Sequence, residues 1–146
     1  MVKVSDGDTI WIRLHNGNRV KVRVWGIDTP EKFRSKKLFK EARRCGVEPA
    51  AIVRLGKLAS RQAKELLDHS RVELIPRGRG RYGRLLAVVI LPDGEDFGRL
   101  MIETVYACIY RKNAPPEYRA AQRRAARERK GLWSVDSELM RCVCNY

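Results

Sequence analysis

Thr9-Ile10-Trp11-Ile12-Arg13-Leu14-His15-Asn16-Gly17-Asn18-Arg19-Val20-Lys21-Val22-Arg23-Val24-Trp25-Gly26 decides the fold class. Apolar residues alternate with polar ones on both sides of Asn16-Gly17. Ile10, Ile12 and Leu14 form one face before it, and Val20, Val22 and Val24 form one face after it. Period-two alternation marks half-buried strands, and Asn-Gly readily adopts the positive backbone angles of a tight turn. The stretch therefore reads as a β-hairpin. Successive side chains point to opposite faces of a strand, so Lys21, Arg23 and Trp25 project away from the valines.

Working outward, Pro30 stops the second strand, and residues 32–56 form a basic, irregularly patterned insertion that has room for short helical turns but whose pattern gives no firm structure. Over 57–68, Leu58, Ala59, Ala63, Leu66 and Leu67 recur at helical spacing and predict an amphipathic helix. Strands are expected at 71–75 and 85–91. The arginine-rich stretch 76–84 between them reads as too glycine-rich for regular structure. Asp96 is placed to cap a helix that turns Leu100, Met101 and Val105 inward. A last helix starts near Asn113 and Pro115-Pro116, presents Tyr118, Ala121 and Ala125 on one face, and ends at Gly131. Leu132 and Trp133 then fold back onto the core. Strands followed by helices outside the sheet order give an α+β class. The best fit is a five-stranded Greek-key β-barrel of the oligonucleotide-binding (OB-fold) type with about three helices.

A length of 146 residues suits one compact domain over 1–146. No apolar run approaches the roughly 18–20 residues needed to span a bilayer, and the first residues lack the apolar core of a signal peptide. The expectation is a soluble chain, cytoplasmic on the first reading and a secreted mature form on the second. The 31 Lys+Arg outnumber the 17 Asp+Glu, for a formal charge of +14, so the field of the protein attracts polyanions. Nucleic acid leads as partner. Membrane binding is disfavoured, because the last helix offers mainly alanine and tyrosine on its apolar side. Cys45, Cys108, Cys142 and Cys144 lack paired zinc-site spacing. A disulfide from Cys45 to the tail is the better reading, and it requires an oxidising compartment or a hyperthermophile cytosol.

Asp8 follows a Gly-containing turn, and Asp28 precedes Thr29-Pro30. Two carboxylates at strand ends with a nearby carbonyl suit a hard cation such as calcium, although each motif alone is a common turn former. An EF-hand is excluded because Ile10 occupies its next ligand position. Glu31, beyond the Pro30 bend, is placed to act on water as a general base; its plainer role is a solvated carboxylate beside Lys32 or Arg34. Arg23 and Arg84 offer guanidinium forks that match phosphate oxygens, and Arg81 with Tyr82 reads as a phosphate-contact or base-stacking patch. His15 and His69 are too few for a two-histidine nuclease or a metalloprotease, and no phosphate-loop or dinucleotide fingerprint occurs.

Asp6-Gly7-Asp8-Thr9, then Arg23 with Asp28-Thr29-Pro30-Glu31, then Tyr82-Gly83-Arg84 and Gly131-Leu132-Trp133-Ser134, follow one another in an order that resembles the staphylococcal nuclease (thermonuclease) family. The resemblance implies calcium-dependent (Ca2+) cleavage of DNA and RNA with little sequence preference, leaving 3′-phosphate ends. By it, Asp8, Asp28 and the Thr29 carbonyl look like calcium ligands and Glu31 like the base. Arg23 and Arg84 look like the catalytic arginines, and Arg81, Tyr82 and Tyr110 like substrate contacts. It implies no obligate protein partner, and a monomer is expected. Three departures stand out: a short first strand, a longer 32–56 segment, and Val105 where glycine is common. The alternative from another class is a non-catalytic, nuclease-like nucleic-acid-binding module.

Overall fold

The computed structural model describes residues 2–30, 32–33, 35–80, 84–104, 106–110, 114–129 and 131–144. Strands β1 (Val2–Asp6), β2 (Thr9–Arg13) and β3 (Arg19–Val24) form an antiparallel meander. The expected hairpin is present. Ile10 pairs with Val22 and Ile12 with Val20, and Gly17 supplies the positive φ of 85° at the turn. Leu14 breaks the expected inward face: it lies in the turn, where its backbone closes hydrogen bonds to Gly17 and Asn18, and its side chain is exposed.

Strand β6 (Leu85–Ile90) runs parallel to β3, and β5 (Glu73–Arg79) pairs antiparallel with β6, giving the sheet order β1-β2-β3-β6-β5. A separate two-stranded ladder joins β4 (Ile27–Asp28) to β7 (Cys108–Ile109). The class is α+β, with a five-stranded mixed sheet. Strand β5 runs four residues beyond the expected end at Ile75. A register shift between Pro76 and Gly78, with Gly78 at φ 119°, lets the chain pass a residue without an N–H and pair again through Arg79.

Among the described residues there are six helical segments rather than about three: α1 (Lys36–Cys45), α2 (Pro49–Leu67), α3 (Phe97–Glu103), α4 (Pro116–Glu128), α5 (Leu132–Val135) and α6 (Ser137–Val143). Helix α1 falls in the segment given no firm structure. Its local signals are complete, with the Ser35 hydroxyl accepting from the Leu38 N–H at 3.1 Å and Gly46 ending it at φ 65°. Helix α2 starts eight residues before the expected Lys57, with Pro49 in its first turn. Asp96 caps α3 as expected. Helix α4 ends not at Gly131 but at Arg129, which takes the left-handed conformation itself. No described helix is long and apolar enough to cross a membrane.

Two apolar clusters result. One joins the sheet residues Val4, Ile10, Val22 and Val89 to Ala63 and Leu67 from the C-terminal half of α2. The other joins Leu38 of α1, and Ile52 and Leu55 from the N-terminal half of α2, to Trp133, Leu139 and Met140. Helix α2 is thus shared, one half packing on the sheet and the other on the tail. Leu132 and Trp133 are buried, as expected. All four cysteines are paired. Cys45 at the end of α1 bonds Cys142 in α6, within the expected choice of Cys142 or Cys144, while Cys108 in β7 bonds Cys144, a pairing not foreseen.

Tyr118 fixes α4 to α3. Its hydroxyl donates to Asp96 Oδ2, while Asp96 Oδ1 accepts the Arg99 N–H at 3.3 Å as the helix cap. Burial, followed by the Asp96 carboxylate, pushes the Tyr118 hydroxyl well above its ordinary pKa, so it stays a donor. Tyr118→Phe is expected to cost about 1.5–3 kcal/mol, because a part-buried carboxylate loses a charge-assisted partner. The urea midpoint measures this, and an unchanged midpoint contradicts it.

Candidate functional site

The site forms where the β1–β2 turn meets β4. Gly7 makes the approach possible: a Cβ there would lie 2.6 Å from Thr29 Cγ2, so only glycine lets the turn press onto Thr29. Asp8 follows and is held on all sides. Its carbonyl accepts from Val24 N–H at 2.9 Å, Oδ2 accepts from Thr29 N–H at 3.1 Å, and Oδ1 accepts from the Thr9 hydroxyl at 3.1 Å. Gly26, at φ 81° with its α-carbon against the Tyr118 ring, turns the chain after β3 so that Asp28 comes back beside Asp8.

Arg23, which pairs with Thr9 across the hairpin, ties the pieces together. Nη1 donates to the carbonyls of Val24 at 3.1 Å and Ile27 at 2.8 Å. Nη2 lies 3.6 Å from Asp8 Oδ2 and 3.5 Å from Asp28 Oδ1. Its guanidinium carbon also stands 5.6 Å from the centroid of the Tyr110 ring, within cation–π range. The Tyr110 N–H donates to Gly26 O at 2.8 Å, which holds the ring in place.

The two carboxylates are electrostatically unequal. Burial alone would raise Asp8, but the charge of Arg23 and the hydrogen bonds to its oxygens hold it well below the usual carboxylate range. Asp28 is pushed up to about 6, first by burial and then by the Asp8 charge, against the opposing pull of Lys37 and Arg23. The Lys37 ammonium of α1 answers this demand, lying 3.1 Å from Asp28 Oδ1 and 3.0 Å from Oδ2. Asp28 thus already holds a cation between its oxygens. Asp8, Asp28 and the backbone of Thr29 are oxygen donors of the kind a hard divalent ion takes, and Lys37 stands where such an ion would compete. Among the described residues no three His, Cys, Asp or Glu side chains converge, so the donor set visible there is two carboxylates.

Of the residues expected from the sequence, Asp8, Arg23, Asp28, Thr29 and Tyr110 come together. Arg84 directly precedes β6, two residues before Leu86, which lies beside Arg23 in the parallel ladder; its carbonyl accepts from Gly80 N–H at 2.8 Å. Glu31, Arg81 and Tyr82 lie outside the described residues. Sequence reasoning missed Thr9, whose hydroxyl steadies Asp8, and Lys37. The signal for Lys37 is the Ser35 cap, which starts a helix eight residues after Asp28 and puts Lys37 in its first turn.

Residues 21–135 match the family described as staphylococcal nuclease homologue, a span that takes in Arg23, Asp28, Thr29, Arg84 and Tyr110 but begins after Asp8. A protein of Escherichia coli named an uncharacterized endonuclease is 29% identical over 135 residues, covering 92% of this chain and 75% of its own length. Endonuclease YhcR of Bacillus subtilis is 27% identical over 147 residues, covering 94% of this chain but 11% of its own length. Succinoglycan biosynthesis protein ExoI of Rhizobium meliloti is 32% identical over 136 residues, 92% of this chain and 64% of its own. Since the family match spans most of the sequence, the chain belongs to the staphylococcal nuclease family.

Proposed function

We propose that this protein is a calcium-dependent phosphodiesterase that hydrolyses DNA or RNA with little sequence preference and leaves 3′-phosphate ends. The observation that carries the reading is the convergence of Asp8 and Asp28, from separate elements, on the single guanidinium of Arg23. Asp8, Asp28 and the Thr29 carbonyl would hold the ion. When bound, calcium supplies positive charge to a nonbridging phosphate oxygen. Arg23 and Arg84 bind the phosphoryl group and stabilise the charge that grows in the transition state. Glu31 orients the attacking water and accepts its proton. Arg81, Tyr82 and Tyr110 contact the nucleotide. Two disulfides suit an oxidising setting or a hyperthermophile cytosol, so a secreted mature form fits better than an ordinary cytoplasm.

One observation favours the second reading, a non-catalytic nucleic-acid-binding module: Lys37 already neutralises Asp28. Cleavage of single-stranded DNA and RNA, with calcium and with excess chelator, separates the two. The enzyme reading expects cleavage that chelator abolishes and calcium restores. Binding that survives chelation, with no cleavage under any divalent metal, would replace it with the module.

A further inference from the structure

Beside Asp28 the surface opens into a cleft of about 490 Å3 between α1, β7 and α6. Asp28 and Tyr110 lie at its inner end. One wall is α1, which turns Lys37, Lys40 and Arg44 toward it. Positions three and four residues apart share one helical stripe, so these cations are spaced about 4.5 and 6 Å along the axis. The opposite wall is apolar, built from Ile109, Val143 and the Cys108–Cys144 disulfide. The second disulfide, Cys45–Cys142, joins α1 to α6 directly, so both walls are covalently fixed relative to each other.

The charges are not all positive. Glu41 also lines the cleft, and Lys37 is engaged by Asp28. Lys40 and Arg44 are both exposed and extend the positive wall along α1 beyond the carboxylates. A trough with cations along one side and apolar surface along the other matches a single nucleic-acid strand, which has a phosphate edge and a base edge. A duplex, with its bases stacked inside, has no apolar edge to offer the second wall.

We propose that this cleft is a second nucleotide subsite. The strand flanking the scissile phosphate runs along α1, with its next phosphate on Lys40 and Arg44 and its base against Ile109, Val143 and the Cys108–Cys144 bridge. The inference rests on the nuclease reading for which phosphate sits at Arg23. None of Lys37, Lys40 or Arg44 belongs to the motifs through which the sequence resembles its family. The subsite therefore lies outside those motifs, on α1, and it favours substrates that extend past one phosphodiester.

The test uses fluorescence anisotropy with a labelled single-stranded oligonucleotide of about a dozen residues across a salt series, with the oxidised protein in chelator. Lys40→Ala/Arg44→Ala is compared with Arg123→Ala/Arg124→Ala, which removes the same charge from the exposed face of α4. Loss of this phosphate contact is expected to weaken binding about tenfold and flatten the log–log salt slope by about 0.7, while the α4 control changes affinity less than twofold. Lys40→Gln/Arg44→Gln, which keeps side-chain bulk, should reproduce the loss, and circular dichroism should show both variants folded. Equal weakening by the α1 and α4 pairs, or none by either, overturns the subsite. Cleavage in calcium isolates the underlying reading. If the parent cuts the oligonucleotide, the α1 variant should raise KM for it and leave a dinucleotide's kcat unchanged. Selective loss of binding in a parent that cuts nothing sustains the cleft and sinks the nuclease, whereas cleavage with binding indifferent to the α1 pair does the reverse.

Discussion

Glu31→Gln is expected to lower kcat for single-stranded DNA in saturating calcium by on the order of 10²-fold or more, with the melting temperature unchanged. The argument starts from what the neighbouring acids are committed to. Asp8 is fixed by Thr9, Thr29 and Arg23, and Asp28 by Arg23 and Lys37, so both are already committed to positive charge. Glu31 follows Asp28 by three residues across Pro30, which puts a third carboxylate next to that pair in the chain. Glutamine keeps its size and much of its hydrogen bonding but neither accepts a proton nor carries charge. The loss should thus appear in kcat, with KM little changed. Glu128→Gln, on the exposed face of α4, is the control and should cleave at near parental rates. Equal rates for Glu31→Gln, the parent and that control would make Glu31 a surface carboxylate and the proposed base wrong.

Opening the Cys45–Cys142 bridge should be the most costly change to stability. It joins residues 97 apart in sequence, and the loop-closure entropy it removes from the unfolded chain corresponds to about 4–5 kcal/mol. For a chain of this size that is a fall in melting temperature of roughly 10–15 °C. The loss should concentrate in the cluster that holds Leu38, Ile52, Leu139 and Met140, because α6 reaches α1 through this bond. Melting curves of Cys45→Ser/Cys142→Ser against the parent, with and without reductant, measure it. Reductant, which also opens Cys108–Cys144, should lower the parent to the variant or below it. A shift of under about 2 °C, in parent protein whose bridge has been verified by mass spectrometry of a non-reduced digest, would show that packing and the Cys108–Cys144 bridge hold the tail without it.

Much of the site was legible because its pieces are local. Asp-Gly-Asp-Thr and Asp-Thr-Pro form turns wherever they occur, and the alternation of β3 dictates that Arg23 leaves the valine face. The hairpin register, the α3 cap at Asp96 and the return of Trp133 to the core were legible for the same reason. Helix α1 was harder to see. It buries only Leu38 and Ala42 among many charged residues, so its apolar period is faint even though Ser35 and Gly46 mark both ends. The first half of α2 is also hard to see, although Ile52 and Leu55 continue the helical spacing upstream of Ala59, because the apolar surface that receives them comes from residues some 80 positions later.

What the sequence determined by itself is therefore the strand pattern, the turns and the residue types of a phosphodiester site, all set by side-chain alternation and backbone preference over a few residues. Tertiary structure alone decided that Cys45 takes Cys142 while Cys108 takes Cys144, that Lys37 sits on Asp28, and that α1 and α6 wall a cleft beside it. Each of these depends on two segments far apart in the chain docking on a shared apolar cluster, and burial of apolar surface has no direction that a sequence period can encode.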